Sequence, residues 1–91
     1  MIVEQYLMGK GIKLRHKGFK FLVEAINLCE KDNSYLDFIR AKLYPKIAEI
    51  KNTTPKAVES SIRNSIKCAG HTMSNIEFIN FIMLDIRNQK E

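Results

Sequence analysis

Lys56, Glu59, Ser60, Arg63, Asn64 and Lys67 bring charges, donors and acceptors together at three- and four-residue intervals within one short stretch. At ~100° per residue, Lys56, Ser60, Arg63 and Lys67 share one side of a helix with Glu59 at its edge, while Val58, Ile62, Ile66 and Ala69 fall on the other. Such a stripe can recognise a ligand by hydrogen bonding and charge. Arginine pairs with guanine or with a phosphate, glutamate accepts from cytosine, and hydroxyl and amide groups reach base edges as well. A helix buried on one face and so equipped on the other can enter the major groove of DNA. The base-contacting candidates are therefore Lys56, Glu59, Ser60, Arg63 and Asn64. Lys17, Thr53, Thr54 and Lys67 are the candidates for phosphate. No nucleophile and base stand at recognisable spacing, no glycine-rich phosphate loop is present, and the carboxylates are scattered, so no enzyme is expected.

A recognition stripe works only if its helix is held at a fixed angle by a partner. Thr54-Pro55 is a helix start, since the threonine oxygen can accept from an orphan amide and proline is pre-set for the first helical position. Gly70 ends the helix, which gives a recognition helix over 55–69. Upstream, Pro45 to Lys51 reads as a short helix, and Asn52-Thr53-Thr54 as a tight polar connection in which asparagine tolerates the left-handed conformation. The two helices form a helix-turn-helix over about 45–69.

The remaining elements are helical as well. Ile2 to Met8 is a turn or two, closed by Gly9 and Gly11. From Lys17 to Cys29, an amphipathic helix lines up Phe19, Leu22, Val23, Ile26 and Cys29. Asp32-Asn33-Ser34 breaks it, and Ser34 is expected to cap a helix whose apolar side is Leu36, Phe38, Ile39 and Leu43. Pro45 disfavours helical geometry in Tyr44, so a new helix is expected to start there. Ser74-Asn75-Ile76-Glu77 is a capping box, with Met73 and Phe78 placed as a staple, and it opens a last helix from 75 to about 88. No strand-period alternation of useful length occurs. The expected fold is all-α, a compact domain of five to six helices with the C-terminal helix packed on the helix-turn-helix.

Composition agrees with a folded domain that meets a polyanion. Hydrophobic residues make up 45% and charged residues 27% of 91, with a net charge of +5, which suits one domain over 1–91 and excludes a disordered tail. The charge is polarised. Between 40 and 67 only Glu49 and Glu59 oppose Arg40, Lys42, Lys46, Lys51, Lys56, Arg63 and Lys67, whereas 21 to 39 holds Glu24, Glu30, Asp32 and Asp37 against Lys31. Lys10, Lys13, Arg15, Lys17 and Lys20 form a second basic group. Cys29 and Cys68 have no nearby cysteine or histidine pair, so both are expected to be reduced core thiols, with no metal and no cofactor. His71 is assigned to a tight turn. No run approaches a membrane span and no secretory layout opens the chain, so a cytoplasmic protein is expected.

From Tyr6 to Ala69 the sequence resembles the C-terminal, DNA-binding effector domain of the sporulation stage-zero master response regulator of spore-forming Firmicutes. The residues that carry the likeness are Gly11-Ile12, Lys17-Gly18-Phe19 with Leu22, Glu24-Ala25-Ile26, Leu43-Tyr44-Pro45 with Ile47-Ala48, and Asn52-Thr53-Thr54 with Val58-Glu59, Ile62-Arg63 and Ile66. Ser74 to Ile79 resembles the start of that family's last helix. The resemblance implies an all-α domain that reads a short box in double-stranded DNA, often as tandem or homodimeric copies, downstream of a receiver domain that these residues do not supply. Two departures stand out. Ala57 and Ser60 occupy positions where the family carries arginines, and only Gly70-His71-Thr72-Met73 separates the recognition helix from the last one, where the family has an additional helix and loop. The alternative is a protein-interaction module derived from that domain, bound to a regulatory partner and without specific DNA readout.

Overall fold

A computed structural model of the protein describes residues 2–89; Met1, Lys90 and Glu91 of the expected domain lie outside the described residues. The described chain is six α-helices with one π turn: α1 (Ile2–Gly9), α2 (Lys17–Lys31), α3 (Ser34–Asp37), a π turn (Ile39–Leu43), α4 (Tyr44–Lys51), α5 (Pro55–Cys68) and α6 (Asn75–Gln89). The all-α expectation is met, and α6 packs on α5 as well as on α1 and α2.

Helix α2 is the central post, touching α1, α3, α4, α5 and α6. That position explains why Phe21 and Ala25 are buried alongside Phe19, Leu22, Ile26 and Cys29, a wider apolar face than a single stripe. A surface helix buries one stripe, and a helix with neighbours all round buries more. Leu22, Ile26, Ile47, Val58, Ile62, Phe78, Ile79 and Ile82 are fully enclosed and form one continuous core. Cys29 belongs to it; burial, with help from Asp32 and Glu30, pushes its thiol up to about 11, so it stays neutral. Cys68 does not belong to it. It is exposed at the last residue of α5, because it lies across that helix from Ile62 and Ile66.

The helix ends follow local chemistry. Asn52 takes the left-handed conformation at φ 56°, and Thr53 N–H returns to the Ala48 carbonyl at 2.9 Å, which closes α4 and sets the tight turn into α5. Thr54 Oγ1 accepts from Ala57 N–H at 3.1 Å, the expected cap. Gly70 at φ +88° closes α5 as His71 N–H reaches the Ile66 carbonyl. The capping box of α6 is reciprocal: Ser74 N–H donates to Glu77 Oε1 at 2.8 Å and Glu77 N–H to Ser74 Oγ at 3.3 Å. Phe78 is fully buried beside it, and Met73 packs half-buried against the core.

Between α2 and α4 the chain departs from the sequence expectation. Ser34 is not a cap but the first residue of α3. Its amide donates to Asp32 Oδ1 at 3.0 Å and its hydroxyl receives Lys42; hydrogen bonding from the Ser34 hydroxyl, then from its amide, with Lys42 nearby, holds the Asp32 carboxyl below its ordinary range. Helix α3 lasts a single turn. Phe38 then leaves helical geometry and is 55% exposed, so it is not on the apolar side with Leu43, which is buried. The π turn follows, with Leu43 N–H on the Phe38 carbonyl and Tyr44 N–H on that of Ile39. Tyr44 itself is helical despite preceding proline. Pro45 has no amide to give and its ring crowds the carbonyl four residues back. Widening the preceding turn to an i to i+5 register relieves both, so α4 continues the winding instead of starting afresh.

Candidate nucleic-acid interface

Helix α5 is presented by three supports. Its buried edge of Val58, Ile62, Ser65 and Ile66 rests on the core. On one flank Gly18 of α2 approaches so closely that a Cβ there would stand 2.1 Å from Ser65 Oγ and 2.4 Å from the Ser61 carbonyl. On the other flank the buried Asn75, first residue of α6, donates from Nδ2 to Tyr44 Oη at 2.9 Å and to the Glu59 carbonyl at 3.2 Å. One side chain thereby ties α4, α5 and α6 together. Burial pushes the Tyr44 phenol up from its ordinary range, partly offset by this hydrogen bond.

The predicted site residues fall on the face so presented. Lys56, Arg63, Asn64 and Lys67 are exposed, and Ser60 is half-buried among them. Glu59 is half-buried at the edge, where its carboxylate accepts from Arg63 Nη1 one helical turn away. Thr53 and Thr54 are exposed at the start of the helix. With Thr54 Oγ1 occupied as an acceptor by the cap, its hydroxyl hydrogen can still be given to a phosphate oxygen. Ala57 is half-buried next to Lys56 and has no polar group to offer.

Two grooves border this stripe. One is lined by Arg15, His16 and Lys17 at the start of α2, facing Ser61, Asn64 and Cys68 of α5. Lys17, distant in sequence, is thus brought beside the recognition stripe. The other runs past Glu59, Arg63 and Lys67 and is walled by Arg40 of the π turn and by His71 of the α5–α6 loop. His71 is more than a turn residue: its Nε2 donates to the Lys10 carbonyl at 2.7 Å and its ring stands 5.3 Å from that of Phe78, which fixes the loop. Sequence reading missed Arg15, Arg40, Gly18 and Asn75 as parts of the site. A signal existed for Gly18, because glycine inside a helix costs stability unless a neighbour needs the space. For Arg40 the signal was only its place in the basic run of 40–67, and which of those cations faces the stripe is decided by packing.

Among the described residues no group of three or more metal-binding side chains gathers. No helix among them is long and apolar enough to cross a membrane. Residues 3–91 match the family described as the sporulation initiation factor Spo0A C terminal. The match spans nearly the whole chain, and the chain belongs to that family, a DNA-binding effector domain of a sporulation regulator and not a family of enzymes.

Proposed function

Proceeding from that membership, we propose that the chain is a sequence-specific transcription regulator domain that lays α5 in the major groove of double-stranded DNA. One observation carries the reading: the polar stripe of α5 stands clear of the core between two cation-lined grooves. A major groove about 12 Å wide admits one helix, and the two phosphate strands then pass along its flanks. In this reading Lys56, Glu59, Ser60, Arg63 and Asn64 meet base edges, and Lys17, Thr53, Thr54 and Lys67 meet phosphates. The helix-turn-helix spans about 45–69. With Ala57 and Ser60 in place of two family arginines, the preferred box differs from that of relatives that carry them, because each bidentate arginine supplies about 1–3 kcal/mol of discrimination. Tandem or homodimeric occupancy of neighbouring boxes follows from the resemblance alone.

Selection of binding sites from a random duplex pool tests the proposal. The expected outcome is one enriched short box, and an added arginine at both Ala57 and Ser60 should change its sequence. A pool that returns no shared box, with duplex binding retained, would reduce the domain to a backbone binder. No duplex binding at all would turn the reading to a protein-interaction module.

A further inference from the structure

We infer that the groove on the α6 side of the recognition helix is a second DNA-backbone site, in which Arg40 and Lys67 hold the phosphate strand running along that flank. The inference rests on the reading of α5 as the major-groove helix and adds to it a residue outside the helix-turn-helix.

The groove encloses about 560 Å³ and gathers Arg40, Arg63 and Lys67 around a single carboxylate, that of Glu59. Glu59 is already committed to Arg63. Among the described residues neither Arg40 nor Lys67 takes part in an ion pair. Cations gathered in a cleft without their counter-charges repel each other and focus positive potential there, an arrangement relieved by an anion. The amide donors of the floor are already engaged, since Asn75 Nδ2 gives its hydrogens to Tyr44 Oη and to the Glu59 carbonyl.

The fate of two cations of the π turn sharpens the point. Lys42 is tied down on the opposite side by Ser34, by Asp32 at 3.6 Å and by the face of the Tyr35 ring at 4.8 Å. Arg40, two residues earlier, is exposed and turned to the groove. Two residues apart on one helical turn, they stand on opposite sides of it, one to hold the fold and one to meet a ligand.

Shape selects a strand over a small anion. Glu59, Arg63 and Lys67 lie at successive turns of α5, so the groove follows the helix for about 12 Å at 1.5 Å per residue. One DNA strand carries a charge every 3.4 Å of helix axis. Along the strand itself successive phosphates stand further apart than this axial rise, so a groove of that length spans more than one of them, and a lone phosphate leaves part of it empty.

Duplex binding by the full chain, measured across a salt series on a random duplex, tests this. Removing one cation that meets a phosphate should make the slope of log K against log salt shallower by about 0.9. Arg40→Ala and Lys67→Ala should each show that change and weaken binding several-fold at ~0.1 M salt. Arg40→Lys should restore the slope, which a structural role for the guanidinium would not allow. Lys46→Ala, a cation paired with Glu49 on α4, should leave the slope unaltered. An unchanged slope for Arg40→Ala, with wild-type binding steeply salt-dependent, overturns the inference while leaving the proposed function standing. Absence of wild-type binding to any duplex removes both. Inorganic phosphate that shifts the NMR signals of Arg40 and Lys67 while duplex DNA does not would assign the groove to a small anion and overturn it too.

Discussion

At the scale of the residue, the decisive pair is Glu59 and Arg63. Each can read a base, yet in the free chain they bind each other across one helical turn. Exposed i, i+4 pairs contribute only about 0.3–0.5 kcal/mol, whereas an arginine on guanine is worth about 1–3 kcal/mol. The ion pair therefore orients the guanidinium without withholding it from DNA, and it lowers the freedom that Arg63 must lose on binding. Arg63→Ala is expected to weaken binding to the selected box by about 1–3 kcal/mol and to relax preference at one position. Fluorescence anisotropy on the box and on a scrambled duplex reads both effects. Equal losses on the two duplexes would make Arg63 a phosphate contact and leave Lys56 and Glu59 as the charged base readers. Asn75 acts at the same scale but through position alone, since its side chain is spent on Tyr44 and on the Glu59 carbonyl. It sets where Glu59 and Arg63 stand relative to α4.

At the scale of the element, the angle of α5 against α2 is fixed by the absence of a side chain at Gly18. A methyl group there would stand 2.1 Å from Ser65 Oγ, 2.4 Å from the Ser61 carbonyl and 2.8 Å from Ser65 Cβ, so the helices must part. The serine hydroxyl can rotate away, but the backbone carbonyl and the Cβ cannot. Gly18→Ala should lower stability by about 1–3 kcal/mol, the usual cost of overpacking, despite the better helix propensity of alanine. Urea unfolding followed by circular dichroism would show it, and a variant as stable as wild type would mean the two helices are free to slide. Helices α2, α5 and α6 were legible in the sequence because their apolar periods are long and their ends carry explicit signals, Thr54-Pro55 and the Ser74 to Glu77 box above all. The stretch from Asp32 to Tyr44 was not legible. Its apolar residues fit a helical period, but the proline at 45 acts backward on the turn before it, and a π turn has no periodic signature in so few residues. The same limit applies to the site. The stripe on α5 is a local pattern, whereas its flanks assemble from Arg15, Lys17, Arg40 and His71 only through packing.

At the scale of the whole molecule, charge is arranged as a dipole along α2. Its first residue, Lys17, sits with Arg15 beside the recognition stripe, while Glu30 near its end leads to Asp32 and Asp37. Thirteen residues of helix put Glu30 about 20 Å from Lys17. That separation exceeds the ~8 Å Debye length at physiological salt and falls within the ~30 Å length at 0.01 M. The acidic pole should therefore be invisible to DNA in the first condition and repulsive in the second. Glu30→Gln combined with Asp37→Asn leaves the Asp32–Lys42 pair intact and removes two charges that enter no ion pair among the described residues. The double variant should bind duplex DNA with unchanged affinity at ~0.15 M salt and roughly two- to fivefold faster association at ~0.01 M, as expected for charges acting through water at such range. Stopped-flow association at the two salts measures it. A change of the same size at both salts would place these carboxylates against the DNA, and the recognition surface would then have to be sought on the α3 side of the molecule instead of along α5.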